Sequence, residues 1–236
     1  MNRPTTCAPS PAIRSNTETW VTRLACLVAL AGAAASAATF PTLTVQPTGY
    51  ASLSQTGGSL VTLQAVSTAV PGVGGLGNSL YSGNDYALTA SLTFTNTNTE
   101  LGLAARANAG TMSLYELSLN PANGYLALVK ITGGSSFANL AAEQITGFAS
   151  TKDYTITLSV TGDALTGYLY EAQSLVSTLH ATDASFTTGQ VGVFALQHNG
   201  ALIDGTWTNL SMVPEPVSLS LLGLAGTLVL VRRRQR

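Results

Sequence analysis

The sequence predicts an all-β protein, a jelly-roll β-sandwich flanked by a signal peptide and a C-terminal transmembrane helix. Three observations lead there. The middle of the chain alternates apolar and polar residues with the period of a half-buried strand. Clusters of Gly, Asn and Pro interrupt that pattern at short intervals. Near both ends the apolar residues run on without alternation instead.

At the N-terminus, Arg14 and Arg23 precede the apolar run Leu24 to Ala35, followed by the small residues Ala35, Ser36, Ala37 and Ala38. Charged, apolar, then small-residue order is that of a secretory signal peptide, and the run is too short for an anchor. Residues 1–37 read as the leader, cut after Ala37 or, second choice, after Ala38. The polar stretch before Trp20 is long for such a leader, so translation starting further in is an alternative. The partners implied are the Sec translocon and signal peptidase. Cys7 and Cys26, the two cysteines of the chain, both precede the cut. The mature protein would then carry neither disulfide nor thiolate chemistry.

Residues 38–213 read as one domain. In Tyr86–Thr95, Tyr86, Leu88, Ala90, Leu92 and Phe94 share one face, while Thr89, Ser91, Thr93 and Thr95 share the other. Tyr154 to Val160 repeats the pattern with Thr155, Thr157 and Ser159 outward. Further strands are expected at Leu60–Val66, Leu101–Ala107, Met112–Leu119, Tyr125–Ile131, Leu165–Tyr170, Gln190–Leu196 and Thr206–Met212. Turn residues separate them, as in Asn120-Pro121-Ala122-Asn123-Gly124, Gly133-Gly134 and Thr161-Gly162-Asp163. Pro71 to Gly77 reads as a flexible surface loop. Many short strands with such turns, and no long helical period, point to a sandwich.

Composition narrows function. Only 9% of the residues are charged, against about 25% in ordinary soluble domains. Between Ala38 and Val213 stand three basic residues, Arg106, Lys130 and Lys152, and nine acidic ones, for a net charge of −6. Nucleic-acid binding, which needs a basic footprint, is excluded.

At the C-terminus, Pro214, Glu215 and Pro216 precede the uncharged apolar run 217–231, which Arg232, Arg233, Arg234 and Arg236 close. As a helix the run spans about 22 Å, short of the ~30 Å hydrocarbon core. Local thinning and arginine snorkelling cover the difference. The arginines retain that end in the cytoplasm, so the domain upstream lies outside. Residues 214–236 resemble the PEP-CTERM sorting signal of Gram-negative bacteria that make exopolysaccharide. The resemblance implies recognition by an exosortase, cleavage near the Pro-Glu-Pro box and transient residence in the inner membrane. Delivery to the cell surface or extracellular matrix would follow.

A second resemblance covers about residues 86–212. Leu101-Gly102-Leu103-Ala104-Ala105-Arg106, Gly162-Asp163-Ala164-Leu165 and Asp183-Ala184-Ser185-Phe186 followed by Gly189-Gln190-Val191-Gly192-Val193 resemble strands and turns of concanavalin A-like and laminin-G-like jelly rolls. The sequence departs from that pattern after Tyr170, where Glu171-Ala172-Gln173-Ser174 replaces an Asp-Gly turn.

Catalytic chemistry finds little support. Glycosidases need two carboxyls across a cleft. Glu116 has no acidic partner two or four residues on, and reads as a solvent-facing carboxylate. His180 and His198 lack zinc spacing and read as loop residues. No catalytic residue and no metal ligand is assigned, and no cofactor. Asn84, Asp85, Asp183 and Asp204 are candidates for structural calcium, with turn capping as the alternative. Sugar binding needs exposed aromatic faces beside planar polar groups. Tyr81, Tyr115, Tyr125, Tyr168, Tyr170 and Trp207 are available, and Tyr168, Tyr170 and Tyr125 are the glycan-binding candidates. Arg106 is expected in a structural ion pair. The expected function is a non-enzymatic, exosortase-sorted surface or matrix protein that binds exopolysaccharide. The alternatives are a glycoside hydrolase-like enzyme on the same fold and a purely structural surface protein.

Overall fold

A computed structural model describes residues 40–69, 72–77, 85–198, 200 and 202–214. The expected leader with Ala35, Ala37 and Ala38 lies outside the described residues. So do Glu215, Pro216, the run 217–231 and Arg232, Arg233, Arg234 and Arg236, as well as Tyr81 and Asn84.

The described residues form β1 (Leu43–Gln46), β2 (Ala51–Thr56), β3 (Leu60–Ala65), β4 (Gly72–Gly77), β5 (Tyr86–Phe94), β6 (Thr99–Asn108) and β7 (Ser113–Asn120). The chain continues through β8 (Tyr125–Thr132), β9 (Ser136–Gln144), β10 (Tyr154–Thr161), β11 (Ala164–Glu171), β12 (Ser174–Thr182), β13 (Gln190–Gln197) and β14 (Asp204–Pro214). They build two antiparallel sheets. The first runs β1-β4-β13-β6-β7-β8-β9 and the second β12-β11-β10-β5-β14-β3-β2. Two facing sheets with one apolar layer between them make a sandwich.

The layer between the sheets follows from alternation. In β5 and β10, Tyr86, Leu88, Ala90, Leu92, Tyr154, Ile156, Leu158 and Val160 enter the core. Their Thr and Ser neighbours face outward and pair across strands, Thr89 with Thr157 at 2.9 Å and Ser91 with Thr155 at 3.0 Å. Trp207 of β14 is wholly buried and its indole N–H donates to the Gly102 carbonyl of β6 at 3.0 Å, tying one sheet to the other. The buried tyrosines also find partners for their polar tips, as burial requires. The Tyr86 hydroxyl accepts from the Arg106 N–H, and the Tyr154 hydroxyl from the Ala149 N–H.

The long sides of the sandwich are stapled by side chains. On one side Gln55 of β2 accepts from the Leu43 N–H of β1 at 2.9 Å and donates to the Pro41 carbonyl at 3.0 Å. On the other, Ser177 of β12 donates to Glu143 of β9 at 2.6 Å.

Every strand expected from alternation is present, with ends moved by a residue or two. Five strands were not anticipated: β1, β2, β4, β9 and β12. The loop expected over Pro71 to Gly77 is corrected: residues 72–77 form β4, an interior strand buried along its whole length. Its glycines are there because backbones and neighbours come close. A Cβ on Gly72 would stand 2.7 Å from the Phe194 ring, and one on Gly75 would strike Leu53. After Tyr170, where the Asp-Gly turn is missing, the chain still turns tightly. Ala172 and Gln173 adopt φ of 47° and 72° and close a two-residue hairpin between β11 and β12 without glycine.

Candidate functional site

Along β6 and β7, one set of side chains enters the layer between the sheets: Leu101, Leu103, Tyr115, Leu117 and Leu119. The alternate set, Glu100, Gly102, Ala104, Glu116, Ser118 and Asn120, leaves on the outer face of the first sheet. That face is apolar at one end, where Ala104, Leu114, Ala127, Val129, Ile131 and Phe194 cluster. At the other end it is polar.

The polar end is one hydrogen-bonded group. The Glu100 carboxylate takes a short hydrogen bond from Ser118, and lies 2.9 Å from His198 Nε2 and 3.4 Å from Asn120 Nδ2. Asn120 Nδ2 also lies 3.1 Å from His198 Nε2. The Glu100 hydrogen bond raises the imidazole of His198 above its ordinary value, against the opposing effect of burial. Tyr125 of β8 stands opposite Asn120 in register, so both side chains leave the sheet on this face. The group is open at its rim: Tyr125 is 38% exposed, and the His198 side chain 37%.

Glu116 sits deeper. Both its oxygens are buried and neither has a hydrogen-bond partner. Burial raises its carboxyl well above the ordinary range, and the charge of Glu100 adds to that. It packs over Gly102, where a Cβ would stand 2.5 Å from Glu116 Oε1. The expectation of a solvent-facing Glu116 is therefore corrected. Its acidic neighbour lies on the adjacent strand, outside any spacing within one strand. A substrate oxygen has no access to it in this arrangement.

The three glycan candidates are divided between two faces. Tyr125 belongs to the group just described. Tyr168 and Tyr170 of β11 share the outer face of the second sheet, ring centroids 6.4 Å apart and planes inclined by 31°. Of the other aromatics considered, Tyr115 and Trp207 are wholly buried. The expectation of loop histidines is corrected for His180, which lies in β12, and holds for His198, which follows the end of β13.

The carboxylates considered for calcium are engaged elsewhere. Asp85 accepts from the Gly162 N–H at 2.7 Å, capping the β10–β11 turn. Asp204 receives a side-chain hydrogen bond from Gln64. Asp183 accepts from Tyr115 at 2.6 Å, Lys130 at 2.7 Å and the Ser185 N–H at 2.8 Å. Burial of Asp183 works to raise its carboxyl, but the hydrogen bonds from Lys130, Ser185 and Tyr115 outweigh it and hold the group well below the usual range. On the Tyr115 side, burial first and then Asp183 push the phenol up to about 12. Among the described residues no three His, Cys, Asp or Glu side chains gather as metal ligands.

Arg106 departs from the expected ion pair. Its guanidinium donates to two backbone carbonyls, Phe186 at 2.9 Å and Gly162 at 2.5 Å. Lys130 pairs with Asp183 and Lys152 with Glu171, at 2.7 and 2.8 Å. All three cations of the sandwich are thus engaged.

The sandwich belongs in class with lectin-like β-sandwich folds, and the solved structures it is similar to are of that kind. Carbohydrate-binding module CBM66 from Bacillus subtilis aligns with a TM-score of 0.57 and 16% identity, over 74% of this chain and 96% of that one. A Lotus tetragonolobus seed lectin aligns at 0.53 and 8% identity, over 73% and 93%. A Bacillus subtilis protein of unknown function with a galectin-like fold aligns at 0.52 and 12%, over 72% and 88%. At these identities the likeness is one of fold alone. No family model matches the chain, and no curated protein matches it.

Glu100, Ser118 and Asn120 were not singled out from the sequence, and His198 was weighed only as a zinc ligand. The available signal was the row Glu116, Ser118, Asn120 at every second position of a strand whose other face is Leu and Tyr.

Proposed function

We propose that this chain is an exported, non-enzymatic glycan-binding protein of a Gram-negative cell surface or extracellular matrix. The observation that carries the sugar-binding part is the open aromatic ring of Tyr125 beside the Glu100–Asn120–His198 group. An aromatic face stacks on the apolar side of a pyranose ring, while carboxylate, amide and imidazole exchange hydrogen bonds with its hydroxyls. Similarity in fold to a carbohydrate-binding module and a seed lectin supports the same reading. Hydrolysis is not part of the proposal, because Glu116 is sealed from substrate.

The test is a glycan array and titration with the full-length chain. Wild type binds at least one glycan, and Tyr125→Ala or Asn120→Ala weakens that binding about tenfold. Absence of any glycan binding by wild type overturns the reading.

Export and sorting complete the proposal, with Sec translocon, signal peptidase, inner membrane and exosortase as successive partners. Pro214 is the last described residue of β14, pairs with Tyr86 of β5 and is exposed. Substituting Pro214, Glu215 and Pro216 leaves a larger, membrane-retained species on an immunoblot. Equal processing of mutant and wild type refutes the sorting part.

A further inference from the structure

The outer face of the second sheet differs from that of the first. In its central rows Tyr168 stands between Thr157 and Thr178, and Tyr170 between Thr155 and Leu175. Cross-strand partners share a face, so these six side chains form one continuous surface. None of them carries a charge. The two rings sit two residues apart on one strand, which sets their centroids 6.4 Å apart.

A β-bulge gives the surface an apolar border. The register between β11 and β12 shifts after Leu169, because Leu169 faces Ser177 while Tyr170 faces Leu175. Val176 is the extra residue. Leu175 is 57% exposed and Val176 40%, large for aliphatic side chains in a sheet. Two aromatic rings, an aliphatic border and a ladder of threonine hydroxyls lie together with no ion among them.

We infer that this face is a second glycan-binding surface, that it takes a neutral polysaccharide strand, and that with the Tyr125 site it makes each chain a cross-linker. The inference rests on the glycan-binding reading above. Neutrality follows from the side chains themselves: the six are uncharged, His180 opposite Thr166 continues the face, and Lys152, next to its end, is held by Glu171 at 2.8 Å. An anionic polymer would therefore find no counter-charge. An extended sugar chain offers what the surface matches: apolar ring faces for the tyrosines and hydroxyls for the threonines. The Tyr125 group lies on the outer face of the opposite sheet, so the two sites point away from each other and cannot serve one ring. Two strands held on opposite faces are cross-linked.

The experiment uses the full-length chain with soluble neutral galactomannan and dextran as probes and alginate as the anionic control. Affinity electrophoresis reads binding, and light scattering reads cross-linking. Wild type retards and cross-links a neutral polymer and leaves alginate free. The double variant Tyr168→Ala/Tyr170→Ala loses cross-linking and about tenfold in apparent affinity, yet still binds through Tyr125. Tyr168→Trp/Tyr170→Trp keeps both properties, and Thr157→Lys removes cross-linking while leaving the core untouched. Circular dichroism shows that each variant is folded. The inference is overturned if the double alanine variant cross-links like wild type. It is also overturned if sedimentation shows a wild-type dimer without polymer that the variant lacks, because the face is then an interface between copies. If Tyr125→Ala changes nothing while the double variant abolishes binding, the Tyr125 site and two-site cross-linking are overturned, and the glycan-binding surface at Tyr168 and Tyr170 is supported.

Discussion

Replacing Glu116 by Leu removes a buried carboxyl that nothing in the fold satisfies, and the chain becomes more stable at neutral pH. Both oxygens are buried without a partner, burial raises the carboxyl well above its ordinary value, and Glu100 opposes its charge further. The sign follows from linkage. A carboxyl whose folded value lies above its unfolded one, about 4.3, favours the folded state fully only below that value. As pH rises toward the folded value, folding is increasingly penalised. At pH 7 an unsatisfied buried group of this kind costs about 2 kcal/mol. Leu is of similar size and asks for no hydrogen bond, so the variant recovers that amount. For a domain of this length, 2 kcal/mol corresponds to about 4–8 °C in Tm. Thermal denaturation followed by circular dichroism at pH 7 and pH 4 measures it. The gain at pH 7 shrinks at pH 4, where the carboxyl is protonated in the folded state and mostly protonated in the unfolded one. A variant no more stable than wild type at pH 7, or equally stabilised at both pH values, refutes the reasoning.

Two further outcomes follow from geometry already described. Ala172→Asn/Gln173→Gly places the residues suited to a two-residue hairpin where φ is 47° and 72°, and raises stability by about 1–2 kcal/mol in urea titrations with an unchanged slope. Asp183→Asn weakens hydrogen bonds from Tyr115 and Lys130 and costs about 2 kcal/mol at pH 7. Because the Asp183 carboxyl is held below its ordinary value, its contribution is present above about pH 4 and is lost as pH falls further. Variant and wild type therefore converge in stability in strong acid.

Strands were legible where one face meets solvent. β5 and β10 carry Thr and Ser on that face, and period two is plain in their sequences. The first sheet is harder to read because its central strands are buried on both faces. β4, Gly-Val-Gly-Gly-Leu-Gly, looks like a linker, yet its glycines answer to Phe194, Leu53 and the backbone of Gly192. β9, an edge strand exposed over most of its length, has no core face to impose alternation. β12 was hidden by its bulge, which shifts the alternation between Leu175 and Ser177. The site was partly legible. Tyr125 could be chosen as an aromatic beside a turn. Its partners Glu100, Asn120 and His198 come from β6, β7 and the end of β13, and only the register of three strands brings them together. Tyr168 and Tyr170 could be read as a pair from spacing within one strand.

The staples along the two sides, Gln55 to Leu43 and Pro41, and Ser177 to Glu143, hold the edges of the two sheets together without sulfur. The sequence has no cysteine from residue 27 onward. The seams are closed by an amide, a hydroxyl and a carboxylate, none of which an oxidant or reductant alters. The two leaves accordingly need no folding catalyst that shuffles thiols, and they meet in the same way on either side of a membrane.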